Sequence, residues 1–328
     1  LIGVVGFAWY LGDSTYQGIT QISSHEKMRI EAENAYLKEI GFDQNAFLSN
    51  YHHETVVLDV TEPEPHTVTA DYILANGDRN QDTVVMAHGM GGNRQTVYPT
   101  AKMFLKMGFN VLAYDQRNSG ENTADTNTFG YFERLDMDAF VRYAAEQVDS
   151  TKIIGVWGVS YGATTVGMYV GIENANQQVD FAIMESPFSD ASEMTNMVMS
   201  EMDLGGLPVD LLVKLGNLVM TLRAGFNLDD AFVPKEAAKA SMPVLVIYSD
   251  DDTVIMPEMT KPIIDALPVE TRFQLKVSGS EHIEIYADHR NDYEKAVADL
   301  IAAARERISD LYKYKISRVE RIRFFPFN

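Results

Sequence analysis

Gly158-Val159-Ser160-Tyr161-Gly162 holds a serine between glycines two residues away on either side. That spacing suits a nucleophile on a sharp turn, because small neighbours let a strained backbone fold tightly enough to expose the hydroxyl. A serine hydroxyl is a weak nucleophile, so it needs a base, and the base needs an orienting acid. Of seven histidines, His25, His52, His53 and His66 precede the core strands, and His88 sits in a glycine-rich turn, which leaves His282 and His289 in the order serine, acid, histidine. His282 is preferred because it closes the loop Gly279-Ser280-Glu281-His282, whereas His289 falls in a terminal helical pattern. For the acid, Ser249-Asp250-Asp251-Asp252 supplies three carboxylates in a row. The third position leaves enough loop to turn back toward a histidine, so Asp252 is expected, with Asp250 in reserve and Glu185 as the alternative. His88-Gly89-Met90-Gly91-Gly92-Asn93 brings backbone donors close to a tetrahedral oxygen, and the N–H groups of Met90 and Tyr161 are assigned to that hole. Neither Gly-x-x-x-x-Gly-Lys nor Gly-x-Gly-x-x-Gly occurs in this turn, which argues against a phosphate cradle.

These groups need a scaffold. The run Ile153 to Trp157 is apolar without alternation, as in a strand covered on both faces, and the apolar stretch Ala163 to Ile172 after the elbow reads as a buried helix. Further strands are expected at Glu54 to Val60, Thr67 to Ala75, Thr83 to His88, Phe109 to Tyr114, Val179 to Glu185, Val244 to Tyr248 and Phe273 to Val277. Their alternation with helical patterns predicts an α/β fold with a mostly parallel eight-stranded sheet, its first strands antiparallel. More than fifty residues separate Glu185 from Val244, far more than a crossover needs, and predict a helical cap insertion. The predicted layout is an apolar segment and helical arm at 1–50, a core at 51–187 and 241–310, a cap at 188–240 and a basic, aromatic tail at 311–328.

The 328 residues carry a formal net charge of -20, which excludes nucleic acid as a partner. With no cysteine, disulfides, thiolate catalysis and Cys-ligated metals are excluded too, and no metal or other cofactor is expected. Leu1 to Leu11 is apolar and ends in Trp9-Tyr10-Leu11. It is expected as the end of a membrane anchor, which would place the domain at a membrane or outside the cytoplasm; the alternative is an arm packed on a cytoplasmic domain. Ser24 to Ile40 reads as a charged helix stopped by Gly41. Lys313, Lys315, Arg318, Arg321 and Arg323, interleaved with Phe324, Phe325 and Phe327, are expected either to pack on the domain or to touch a membrane surface.

Taken together, His88-Gly89-Met90-Gly91-Gly92, Asp115-Gln116-Arg117-Asn118-Ser119-Gly120, Gly130-x-x-Glu133-x-x-x-x-Asp138, the Ser160 elbow, Pro243 to Ile247 leading to Asp252, and Gly279-x-x-His282 resemble the α/β-hydrolase superfamily. The resemblance spans about Glu54 to Ile308 and points to the serine aminopeptidase-like and BEM46-like enzymes. It implies Ser160 as nucleophile, Asp252 as acid, His282 as base, and Met90 and Tyr161 as oxyanion donors. The chain departs from the common Asp-x-Arg-Gly-His-Gly loop at Asn118 and Ser119, and from the usual glycine at Ser249. The expected reaction is hydrolysis of a small-molecule carboxylic ester through an acyl-enzyme; a peptidase using the same triad and a non-catalytic sensing protein are the alternatives. For the cap, Leu211, Leu215, Leu218 and Met220 are expected to line an acyl pocket.

Overall fold

The strands β1 (His52–Val60), β2 (His66–Leu74), β3 (Thr83–Ala87), β4 (Asn110–Tyr114), β5 (Ile154–Val159), β6 (Phe181–Glu185), β7 (Val244–Ser249) and β8 (Arg272–Val277) form one sheet in the order β1-β2-β4-β3-β5-β6-β7-β8. Only the β1–β2 and β2–β4 pairings are antiparallel. From β4 to β8 every neighbour is parallel. These are the strands and the antiparallel start expected from the pattern. The computed structural model describes residues 2–21 and 34–323, with side chains described for 5–21 and 34–310.

The helices in chain order are α1 (Ile2–Thr20), α2 (Ala35–Glu39), α3 (Gln44–Leu48), α4 (Tyr98–Lys106), α5 (Glu133–Gln147), α6 (Tyr161–Tyr169), α7 (Glu173–Gln178), α8 (Ala191–Ser200), α9 (Val209–Ala224), α10 (Val233–Ala237), α11 (Pro257–Ala266), α12 (Ile285–Asp288) and α13 (Arg290–Arg323). Successive strand residues face opposite ways. Val85 and Ala87 therefore join the layer built with α5, α6, α10 and α11. Val84 and Met86 join the layer built with α3, α4, α12 and α13. Because both faces are covered, the central strands are mostly apolar with no polar alternation, the pattern that marked them in the sequence.

A third apolar cluster lies outside the sheet. It combines Tyr16 and Ile19 of α1, Met199 of α8, and Leu212, Val213, Val219 and Met220 of α9 with Phe129, Tyr161 and Phe188 of the core. Asp190 starts α8 by accepting from the N–H groups of Ser192 and Glu193, and Gly225, in the left-handed region at φ 72°, ends α9. The segment expected as a cap supplies α8 and α9 of this cluster, and α1 joins them. Sequence alone separates residues 1–50 from it; in the structure α1 lies on α9. The contact is close: a Cβ on Gly12 would stand 2.8 Å from the Leu215 carbonyl oxygen. Arg223 reinforces it with an ion pair to Asp13 and by lying 5.7 Å over the Trp9 ring. The last turn of α1 is tied down by Asn118, whose Nδ2 donates to the Thr20 carbonyl over 3.1 Å, and by the Asn127 N–H, which donates to the same oxygen over 2.9 Å. The departure at Asn118 thus serves to hold α1. From Leu11 onward α1 packs on the domain, and no helix among the described residues is long and apolar enough to cross a membrane.

Most of the Ser24 to Ile40 helix falls on residues 22–33, outside the described residues; α2 is its end. The backbone of α13 runs to Arg323, while the tail side chains from 311 onward lie outside the described residues.

Candidate active site

Ser160 follows β5 and caps α6 with φ 55° and ψ -119°. A non-glycine residue there is strained by about 1–3 kcal/mol. The strain is offset by hydrogen bonds on both sides: the Ser160 N–H donates to the Glu185 carbonyl at 2.7 Å, and its carbonyl accepts from Thr164 at 3.0 Å. The flanking glycines are required by close approach, since a Cβ on Gly158 would lie 2.2 Å from the Gly162 carbonyl oxygen, and one on Gly162 would lie 2.2 Å from that of Ala87. Other non-glycine residues with positive φ also border this region, namely Asn118, Phe129, Ser186 and Ile283. Backbone strain is concentrated where the chain loops meet Ser160.

The loop after β8 carries His282 over the elbow. Its Nε2 lies 2.9 Å from Ser160 Oγ and its Nδ1 lies 2.8 Å from Asp252 Oδ2. Asp252, 3% exposed, uses Oδ1 to accept from the N–H groups of Val254 and Ile255 at 2.9 and 2.8 Å. Burial pushes its carboxyl up, but the His282 contact and these backbone donors outweigh that and hold it below the usual carboxylate range. The three adjacent aspartates diverge. Asp250 pairs with Lys276 at 2.9 Å, and Asp251 accepts from the Gly279 N–H at 2.6 Å. Glu185, the alternative acid, accepts instead from the Tyr293 hydroxyl at 2.8 Å. His289 stands apart, its Nε2 3.0 Å from the Ser278 carbonyl.

The glycine-rich loop is fixed by its own histidine. His88 Nδ1 donates to the Gly89 carbonyl at 2.7 Å, so Nε2 is free to accept the Gln116 N–H at 3.0 Å. The Gln116 side chain returns a hydrogen bond to the His88 carbonyl and accepts one from Thr165 of α6. Burial pushes His88 down to about 4, so it stays neutral and structural. The start of α6 is held likewise: the Tyr161 hydroxyl donates to the buried Glu133 at 2.8 Å and accepts from the N–H groups of Thr128 and Phe129. No hydrogen bond among the described residues takes the backbone N–H of Met90 or Tyr161. Both remain available beside Ser160.

A family model described as alpha/beta hydrolase fold matches residues 82–212. The Pyrococcus furiosus esterase Pf2001 superposes with a TM-score of 0.62 at 18% identity, covering 80% of this chain and 94% of that one. The chain has the α/β-hydrolase fold. Est1E of Butyrivibrio proteoclasticus, solved with ferulic acid, shares that fold at a TM-score of 0.55 and 17% identity, covering 75% of this chain and 98% of that one. By sequence, YqkD of Bacillus subtilis strain 168 is 27% identical over 221 residues, 67% of this chain and 71% of its own length.

In this α/β-hydrolase fold, Ser160 and His282 open onto a cavity of about 610 Å³. Its wall is apolar and comes from four parts of the chain: Leu11, Thr15 and Ile19 of α1, Met194, Met199 and Met202 around α8, Leu212 of α9, and Phe129, Phe188, Val254 and Ile255 from core loops. The expected acyl-pocket residues on α9 are not there. Leu211 and Leu218 are exposed, Met220 is fully buried inside the cap cluster, and Leu215 sits against α1. The physical reason is that α1 covers the face of α9 that would otherwise turn inward, so that Leu212 is the residue of this helix that reaches the cavity beside Ser160. Leu11, Thr15 and Ile19 recur every four residues, a helical stripe readable in the sequence once the segment is taken as cap rather than anchor. The methionine-rich stretch from Met194 to Met202 was the other legible signal.

Proposed function

We infer that the chain is a serine hydrolase that cleaves carboxylic esters of apolar acyl groups through an acyl-enzyme. The observation that carries this is the unbroken hydrogen-bonded line from Ser160 through His282 to Asp252, opening at its serine end on a large apolar cavity. In this reading the ester carbonyl sits above Ser160 with its acyl chain between α1, α8 and α9. Ser160 Oγ attacks the carbonyl carbon and His282 Nε2 takes the hydroxyl proton, while Asp252 accepts from Nδ1–H and stabilises the imidazolium that forms. The tetrahedral oxygen receives the N–H groups of Met90 and Tyr161, the latter at the electropositive start of α6. When the carbon–oxygen bond breaks, the imidazolium returns its proton to the leaving alkoxide. Water then attacks the acyl-enzyme with His282 as base, releasing the acid and restoring Ser160.

The esterase Pf2001 among the structural neighbours supports the reaction class. The start of α1, with Val5, Phe7, Trp9 and Tyr10 exposed, supports contact of this end with an apolar phase, which flotation with phospholipid vesicles tests. For the reaction, a fluorophosphonate probe read by intact mass should label wild type and not Ser160→Ala, and a p-nitrophenyl ester series should peak at medium acyl length. A folded wild type that neither takes the probe nor hydrolyses any ester in the series refutes the assignment.

A further inference from the structure

Ser160 and His282 border a second cavity, of about 170 Å³, on the side of the glycine-rich loop. Met90, Ser160 and His282 line both cavities. An ester bond placed at Ser160 would therefore send its acyl chain into the large apolar space and its alcohol portion into the small one.

The small cavity differs in chemistry from the large one. Its lining includes Trp157, Glu185 and Tyr36, and burial together with the Glu185 charge raises the Tyr36 hydroxyl above its ordinary value, so that it stays protonated. The Glu185 side chain is 2% exposed, yet only Oε2 has a hydrogen-bond partner among the described residues, the Tyr293 hydroxyl, itself held by Trp157 Nε1 at 2.8 Å. No ion pair to Glu185 is formed among the described residues, and Asp252 adds a second negative charge nearby. Burial pushes the Glu185 carboxyl up to about 7, against the Tyr293 hydrogen bond and together with the Asp252 charge. Its Oε1 keeps contact with accessible space, where water or a ligand must donate to it, and a site of that kind disfavours ligands that displace the water and cannot donate.

Resting on the serine-hydrolase reading above, we propose that this cavity is a leaving-group subsite in which Glu185 accepts a hydrogen bond from a hydroxyl or ammonium head on a compact alcohol. The cavity is about 170 Å³ against about 610 Å³ for the large one, which matches a short diol or amino alcohol better than a second long chain. The substrate class is thus an apolar acid esterified to a small polar alcohol.

The test compares isosteric leaving groups on one acid. Specificity constants are measured for 2-hydroxyethyl against n-propyl octanoate, and for 2-(dimethylamino)ethyl against 3-methylbutyl octanoate, at pH 8 and pH 5.5. At pH 8 the wild type should favour at least one donor-bearing head by roughly 10- to 100-fold, the worth of a charge-assisted hydrogen bond. At pH 5.5 the preference should shrink severalfold as Glu185 takes up its proton; because each ratio compares two substrates of one enzyme, titration of His282 cancels. Glu185→Gln should lose the ammonium preference and weaken the hydroxyl one. The hydroxyl and ammonium arms show which head is taken. Ratios within twofold of unity at pH 8, from an enzyme that turns over p-nitrophenyl octanoate, overturn the proposal and leave the hydrolase reading standing. So do ratios unchanged in a Glu185→Gln sample that still reacts with the fluorophosphonate probe. If that variant does not fold, the pH dependence of the wild-type ratios decides. No turnover of any ester by wild type removes both readings.

Discussion

Replacing Asp252 by Asn keeps shape and reverses polarity at the one contact that fixes the His282 ring. Oδ1 of Asp252 already accepts from the N–H groups of Val254 and Ile255. An asparagine keeps those bonds only with its carbonyl oxygen in the same place, which turns its NH2 toward His282 Nδ1, now 2.8 Å from Oδ2. The ring then carries its proton on Nε2 and donates to Ser160 Oγ instead of accepting from it. Losing the charge-assisted bond costs about 1.5–3 kcal/mol, and forcing the working tautomer, with a donor facing a donor, costs about another 1–3 kcal/mol. Together these predict a fall in kcat/KM of roughly 10²- to 10⁴-fold, at the upper end similar to the same exchange in a serine protease triad. The assay is p-nitrophenyl octanoate hydrolysis at pH 8, with circular dichroism and thermal melting to show that the fold is kept. Asp250→Asn, on an exposed pair with Lys276, serves as the control and should stay within about twofold of wild type. Retention of more than a tenth of wild-type kcat/KM by Asp252→Asn would refute the reasoning, and inactivity of Glu185→Gln in the same assay would then move the acid to β6.

Three further outcomes follow from the packing. Gly18 borders the large cavity and a Cβ there meets nothing within 4 Å, so Gly18→Phe should fill space and shift the best p-nitrophenyl ester shorter by about two to four carbons while sparing the acetate; an unchanged optimum counts against α1 as pocket wall. Gly12→Leu must push α1 off α9, since its Cβ would stand 2.9 Å from Val219 Cγ2; about 1–3 kcal/mol of stability should be lost in urea unfolding, together with discrimination between long and short acyl chains. Glu185→Gln should be more stable than wild type above pH 7 and equal to it near pH 4. The folded carboxyl, raised from 4.5 to about 7, holds a proton that the unfolded chain releases, so wild-type stability declines as pH rises across that window by about 3 kcal/mol, and paired thermal melts at pH 4 and pH 8 read the difference.

The constellation of Ser160, His282 and Asp252 proposed for catalysis was legible because that chemistry demands particular residue types at strand ends. Gly158 and Gly162 were readable because a Cβ at either collides with backbone, and the apolar central strands because both faces of the sheet are covered. Selection of Asp252 among three aspartates also followed from the sequence, as the loop needs two residues to turn. Other features depend on which surfaces meet. Nothing local in Leu11, Thr15 and Ile19 says that they face Leu212 and Met199 rather than lipid, because an apolar helical stripe satisfies either environment equally well. The same ambiguity misplaced Leu211, Leu215, Leu218 and Met220: α9 is apolar nearly all round, and only the arrival of α1 decides which side is inside. Glu185 shows the limit most clearly. In sequence it is a carboxylate ending a strand; folding seals it beneath the nucleophile with Tyr293, more than a hundred residues away, on one oxygen and open space before the other. Local composition determined the elements and the candidate reacting groups, whereas the shape and polarity of the space around them came from contacts between distant segments, which no short window of sequence contains.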